Sequence, residues 1–288
     1  MRRDDLAFKS EDGLEIAYYR WRAPGRPAGI VQIAHGMGEH SWRYDHVAAA
    51  LNDAGYHVFA NDHRGHGRSA PSRESLGDFG AGGWNALVAD MVTLTRLART
   101  REGQLPVVLL GHSMGSFAAQ QYVLDNSDAI AGLVLSGSAA VDKLNIDPSR
   151  AADLTAFNSA FEPARTQHDW LSRDPAAVDA YEADPLCGFG VNKRALESMA
   201  AATKRLADPA ALAKIRSDLP IYIFAGDKDP INHGLEWLKP VAERYRAAGI
   251  ANVSEKYYPD GRHEMLNETN RDEVLRDLVS WLQKAVPR

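Results

Sequence analysis

Residues 107–116 read VVLLGHSMGS, and this stretch decides the fold. Four apolar residues in a row, Val107 to Leu110, have the pattern of a strand buried on both faces. Gly111-His112-Ser113-Met114-Gly115 then fits G-x-S-x-G, and a helical run follows from Met114 to Asp125. A serine at a tight strand-to-helix turn is held in a strained backbone conformation with its hydroxyl standing above the sheet. Glycines flank it because strand and helix approach too closely there for side chains. The pentapeptide alone is a common chance match. Between a buried strand and a helix it marks Ser113 as a nucleophile, with the amino end of the helix adding partial positive charge beside it.

The same alternation extends in both directions. Apolar β-type runs occur at Leu14 to Tyr19, Ile30 to Ala34, Tyr56 to Ala60, Ile130 to Leu135, Ile221 to Ala225 and Val253 to Tyr258. Helical patterns lie between them at Tyr44 to Ala54, Trp84 to Arg101, Leu235 to Ala248 and Asp272 to Ala285. Strands alternating with helices predict an α/β architecture, a mostly parallel central sheet flanked by helices. The first two strands, joined through Glu11-Asp12-Gly13, are expected as an antiparallel hairpin at one edge. From Ala140 to Ser217 the rhythm stops. Helical fragments (Pro175 to Tyr181, Asn192 to Leu206) carry large apolar residues: Phe157, Phe161, Trp170, Leu171, Tyr181, Leu186, Phe189 and Met199. A long excursion between strands is usually functional. It is read as a helical cap inserted after the sixth strand, giving a core of residues 1–139 and 218–288 and a cap of 140–217. Those aromatic residues either line a tunnel or fill the interior of the cap.

A serine hydroxyl needs a base, and histidine suits neutral pH. In sheets with this nucleophile turn the order along the chain is Ser, acid, His. Of the two histidines beyond the cap, His263 sits in a turn after the last strand, where a base would stand above the sheet; His233 opens a helix and has no such placement. The acid is expected after the strand at 221–225, in Gly226-Asp227-Lys228-Asp229-Pro230. Asp229 is favoured because it lies far enough out to cross to the histidine, whereas Asp227 is better placed to tie the turn. Spacing alone leaves Asp260 open as a partner. After the strand at 30–34, the glycine-bearing His35-Gly36-Met37-Gly38 loop is positioned to aim an amide at a substrate carbonyl, so the N–H groups of Met37 and Met114 are the expected oxyanion donors. A dinucleotide-binding reading of Gly36-x-Gly38 fails, because position 41 is Ser41 where a third glycine is required.

Composition narrows the class further. The chain has 288 residues and a formal net charge of −5, so neither nucleic acid nor an anionic membrane surface is an expected partner. Cys187 stands alone, so no intrachain disulfide forms, and it is read as a small buried apolar residue without a histidine nearby. The opening residues lack an export-signal pattern and no run of about 18 apolar residues occurs, which leads to an expected cytoplasmic location. His63 and His66, three apart with no third ligand near them, are read as part of a loop hydrogen-bond network rather than a metal site. The orientation of His112, towards pocket or core, is left open.

With these pieces in place, the chain resembles the monoacylglycerol lipase and lysophospholipase-like branch of the α/β-hydrolases. The segments carrying the likeness are HGMGEHSWRY (35–44), NDHRGHGRS (61–69), GHSMGS (111–116), DWLSRDPAAVDAYEADPLCGF (169–189), GDKDP (226–230) and GRHEMLNE (261–268). The resemblance implies the α/β-hydrolase fold, Ser113, Asp229 and His263 as the triad, and Met37 and Met114 as oxyanion donors. It also implies a cap over an acyl tunnel and small acyl-ester or lipid substrates, with no cofactor and no metal. Apolar cap residues would then make transient contact with lipid aggregates. The sequence departs from the family at two positions: Ser116 stands where glycine is usual, and Trp42 where a small residue is usual, so Trp42 is expected to narrow or redirect the acyl site. The competing activities on the same triad are short-chain esterase, thioesterase, lactonase, perhydrolase and peptidase, and a non-catalytic binding protein is the remaining alternative.

Overall fold

The computed structural model describes residues 2–144, 146–147 and 149–286. Eight strands form one sheet: β1 (Arg2–Lys9), β2 (Glu15–Arg22), β3 (Gly29–Ala34), β4 (Tyr56–Asn61), β5 (Val107–His112), β6 (Gly132–Ser136), β7 (Ile221–Gly226) and β8 (Val253–Tyr258). Their order is β1-β2-β4-β3-β5-β6-β7-β8. The β1–β2 hairpin is antiparallel, with Leu6 opposite Tyr18, and β2 runs antiparallel to β4. Every later pairing is parallel. β3, β4, β5, β6 and β7 are buried along their whole length, which is why they read as unbroken apolar runs.

Among the described residues there are eight α-helices: α1 (Asp45–Asp53), α2 (Gly83–Arg101), α3 (Met114–Asn126), α4 (Pro175–Ala183), α5 (Lys193–Ala202), α6 (Pro209–Leu212), α7 (Lys239–Ala247) and α8 (Arg271–Ala285). Alternate residues of each strand serve opposite faces. Val107 and Leu109 of β5 join Trp84, Leu87, Met91, Phe117 and Tyr245 in one core. Val108 and Leu110 join Val47, Leu51, Leu278 and Leu282 in the other. Thus α2, α3 and α7 cover one face while α1 and α8 cover the second.

Between β6 and β7 no strand occurs among the described residues; α4, α5, α6 and several 3-10 turns fill the interval. Asp174, Asn192 and Asp208 cap α4, α5 and α6 by accepting the amides of Ala176, Ala195 and Ala210. One helix is shorter than its sequence pattern. Residues 235–238 are turns, and α7 begins only at Lys239. His233 and Leu235 have φ of 52° and 74°, a left-handed backbone that no helix continues through. Pro240, lacking an amide, is accommodated in the first turn that follows.

Parallel strands place all their carboxyl ends on one edge. The loops after β3, β5, β6, β7 and β8 therefore meet there, as ligand-bearing loops do in open α/β sheets.

Candidate active site

Ser113 sits between β5 and α3 with φ of 52° and ψ of −123°. For a residue with a Cβ this is a strained conformation, of order 1–3 kcal/mol, that persists only where its surroundings enforce it. Here its amide donates to the carbonyl of Ser136 at the end of β6 at 2.9 Å, and its carbonyl accepts the amides of Ser116 and Phe117. The flanking glycines are contact requirements. A Cβ on Gly111 would lie 2.5 Å from the carbonyl oxygen of Gly115, and one on Gly115 would lie 2.2 Å from that of Ala34. Gly115→Ala must therefore push α3 off β3. We predict that it lowers unfolding free energy by about 1–3 kcal/mol or more, read as a fall in the urea midpoint at unchanged m-value. Ser116, unusual at its position, bonds the carbonyl of Ser113 at 2.6 Å and the hydroxyl of Ser138 at 2.8 Å.

His263 follows β8 and is 1% exposed; Asp229 follows β7 and is fully buried. Their Nδ1 and Oδ2 atoms are 2.9 Å apart. A carboxylate only accepts, so Nδ1–H donates and Nε2 is left free to take a proton. Asp229 is held in turn through Oδ1, which accepts the Ile231 amide at 2.9 Å. Asp227, the alternative acid, instead accepts the Asp260 amide at 2.8 Å and ties the two loops together. Asp260 is engaged there and does not reach His263. His233 is exposed, pairs with Glu236 and stacks on Trp237 with centroids 4.6 Å apart. Gly137 lets the imidazoles crowd together: a Cβ there would lie 2.9 Å from the Cε1 atoms of both His112 and His263.

Burial lowers the pKa of His263, but the charge and hydrogen bond of Asp229, with Glu264 and Glu39 nearby, outweigh it and raise the value above 6.5. A base acts only when neutral. The rate should therefore fall on the acid side with a midpoint above pH 6.5, and Asp229→Asn should move that midpoint down. A kcat/KM profile of the two proteins checks both statements. His112 is pushed the other way, to about 4, by burial and by His263, so it stays neutral.

The loop after β3 lies against Ser113. A Cβ on Gly36 would lie 3.1 Å from Cβ of Ser113. Met37 borders the same cavity as Ser113, and Met114 opens α3, where the first amides have no intrahelical acceptor. A charged network unforeseen in the sequence braces this loop. Glu39 accepts the Gly36 amide at 2.5 Å and the Tyr44 hydroxyl at 2.8 Å. Arg43 binds Glu39 at 2.6 Å and takes Glu264 through two bonds of 2.6 and 2.7 Å. Burial raises the Glu39 carboxyl, but Arg43 and the neighbouring imidazoles hold it well below the usual range. The Glu39–Arg43–Glu264 chain joins the Met37 loop to the residue following His263.

Ser113, His263, Met37 and Met114 all line one cavity of about 390 Å³, within the usual size of a small-molecule site. Its other walls are mostly apolar and come largely from the interval between β6 and β7, Leu154, Phe157, Trp170, Leu171, Tyr181 and Met199 among them, with Asp147, Arg150 and Asp153 also on the lining. Trp170 packs on His263 with centroids 4.9 Å apart. Phe161 and Phe189, for which the sequence leaves both tunnel and cap interior open, lie outside the cavity, under the Arg262 guanidinium and against His66. Trp42 does not line the cavity. It packs on Tyr19 and His40 beneath Arg3, on the outer side of the loop, so the expectation that it narrows the acyl site is corrected. His63 and His66 are buried in a loop network: the His63 amide donates to His35 Nε2 at 2.9 Å, and His66 Nδ1 lies 3.1 Å from the Arg64 carbonyl. Burial keeps both imidazoles neutral.

The sequence pattern of the family described as serine aminopeptidase, S33, matches residues 25–270. The chain belongs to that family. It is accordingly a hydrolase of the α/β-hydrolase fold, and its likeness to the monoacylglycerol lipases spans nearly its whole length. The monoacylglycerol lipase of Mycolicibacterium smegmatis is 33% identical over 286 residues, covering 97% of each chain. A monoglyceride lipase homolog of Monkeypox virus is 28% identical over 91% of this chain and 92% of its own. Among solved structures, a thermostable carboxyl esterase from Bacillus coagulans, in complex with glycerol, superposes with a TM-score of 0.88 at 30% identity over 99% of both chains. A variant of Saccharomyces cerevisiae monoglyceride lipase, at 22% identity and TM-score 0.76, shares the fold of this S33 family member. No helix among the described residues is long and apolar enough to cross a membrane.

Proposed function

We propose that this protein is a carboxylic ester hydrolase of monoacylglycerol lipase type, with Ser113 as nucleophile, His263 as base and Asp229 as the acid that orients it. The observation carrying the proposal is the buried His263–Asp229 pair at 2.9 Å facing the same apolar cavity as the strained Ser113. Ser113 Oγ attacks the ester carbonyl as Nε2 of His263 takes its proton. The amides of Met37 and Met114 receive the negative oxygen, each worth roughly 3–4 kcal/mol in the transition state. His263 passes the proton to the departing alcohol, leaving an acyl-enzyme. Water then attacks the acyl carbon, His263 takes its proton, and Ser113 leaves as the restored hydroxyl.

An apolar cavity roofed by residues 140–217 fits an acyl chain, and those residues act as a cap on a core of 1–139 and 218–288. Its apolar surface gives a transient contact with lipid aggregates. The named activity of the mycobacterial relative and the glycerol bound to the Bacillus esterase favour a glyceride substrate with glycerol as the leaving group. Hydrolysis of monoacylglycerols and p-nitrophenyl esters across acyl lengths tests the reading. A kcat/KM that climbs from short to medium or long acyl chains supports it. Activity confined to acetyl and propionyl esters refutes the glyceride assignment while leaving the triad in place.

A further inference from the structure

Among the described residues, two groups of side chains outside the Ser113–His263–Asp229 set converge closely enough to hold a metal ion. Glu39, His112 and Glu264 form one, but Arg43 already occupies the space between its carboxylates. The other is His40, Asp184 and Cys187, whose ligand atoms lie within 4.8 Å of one another. His40 Nε2 and Asp184 Oδ2 are 2.9 Å apart across 144 positions of sequence. The Cys187 thiol is on the same loop as Asp184 and is partly exposed. The expectation that Cys187 has no histidine near it thus fails, because His40 approaches from the far side of the fold.

We infer that His40, Asp184 and Cys187 form a binding site for a thiophilic divalent cation such as Zn²⁺. Imidazole nitrogen, thiolate sulfur and carboxylate oxygen are the three donor types this ion accepts, and water would complete a tetrahedron. Such an ion holds its ligand atoms roughly 3.3–3.8 Å apart, so His40 Nε2 and Asp184 Oδ2, now 2.9 Å apart, open slightly while the longer separations, up to 4.8 Å, draw in by about 1–1.5 Å. The Asp184 carboxylate beside the thiol favours a dication. A solvent-facing recess lined by His40, Trp42, Arg43, His46 and Asp184 provides the path of entry. On binding, the proton of His40 moves to Nδ1 and the thiol proton leaves to solvent.

The site has a consequence for the neighbouring loop. His40 ends the segment that begins at His35, and Gly188 already donates to the Gly38 carbonyl at 3.0 Å. A bound cation replaces the His40–Asp184 hydrogen bond that already joins this loop to residues 184–188 and draws Cys187 into the same link, at a position that touches neither Ser113 nor His263. Its role is to lock the two segments together rather than to take part in hydrolysis.

Titration of the metal-free protein with Co²⁺, used as a spectroscopic stand-in for Zn²⁺, tests the inference. The expected result is a thiolate-to-cobalt charge-transfer band that saturates at one equivalent and is displaced by Zn²⁺, with a thermal midpoint that climbs as Zn²⁺ is added. Cys187→Ser should abolish the band. His40→Gln and Asp184→Asn should each weaken Zn²⁺ binding at least 10-fold, since even losing a residue that only orients a ligand costs about 10- to 100-fold. The wild-type titration is decisive even if a variant fails to fold. Absence of the charge-transfer band at saturating Co²⁺ overturns the site, as does Zn²⁺ affinity unchanged in a folded Cys187→Ser protein.

Discussion

Ser113→Ala should lower kcat on any accepted ester by about 10³- to 10⁶-fold, the range found when a hydrolase nucleophile is removed. The neighbouring serines are not placed to replace the lost oxygen. Ser116 and Ser138 are committed to each other, and Ser116 also to the Ser113 carbonyl. Ser136 lies within 3.4 Å of His112, on the strand side of the turn. The fold should survive the change, because alanine relieves no contact and creates none at a position already held by the Ser136 carbonyl. Circular dichroism and a denaturation curve matching wild type, together with the lost turnover, distinguish chemistry from unfolding. A loss of less than about 10-fold would mean that another group carries the attack.

Asp229→Asn should cost almost as much, about 10⁴-fold in kcat, while Asp227→Asn should change kcat by less than about 3-fold. The first figure follows from what the carboxylate does. With an amide in its place, the side chain can offer N–H to Nδ1, turning the imidazole to the tautomer whose Nε2 carries a proton and cannot accept another. Asp229 is fully buried and has no solvent to share that task. Asp227 is two residues away, yet its carboxylate bonds the Asp260 amide and not the imidazole. Substituting it loosens a link between two loops and leaves the base oriented. Paired assays on p-nitrophenyl butyrate measure both effects under one set of conditions, and equal losses in the two variants would refute the assignment of Asp229.

What the sequence reveals here depends on how far apart the partners lie. Ser113 and Asp229 follow strands that read as apolar runs and His263 follows the last strand of the same sheet, so their shared edge follows from parallel topology alone. The contact of Gly111 with Gly115 is local and legible for the same reason. The Glu39–Arg43–Glu264 chain is not, because Arg43 and Glu264 are separated by 221 positions and both look like ordinary surface charges. His40 beside Asp184 is hidden in the same way. Trp42 shows a different failure: its nearness in sequence to the Met37 loop says nothing of direction, and the ring turns outward to Tyr19. The apolar residues of 140–217 were recognisable as a group, but which of them face the cavity depends on how short helices and turns pack. Trp170 reaches His263 while Phe161, nine positions before it, covers Arg262.

The most direct test of the central claim is covalent labelling with a fluorophosphonate, followed by peptide mapping. The account predicts one adduct per chain on the peptide containing Ser113, none in Ser113→Ala, and labelling slowed by orders of magnitude in His263→Ala. An unlabelled Ser113 in folded protein that still hydrolyses esters, or an adduct on any other residue, would contradict it.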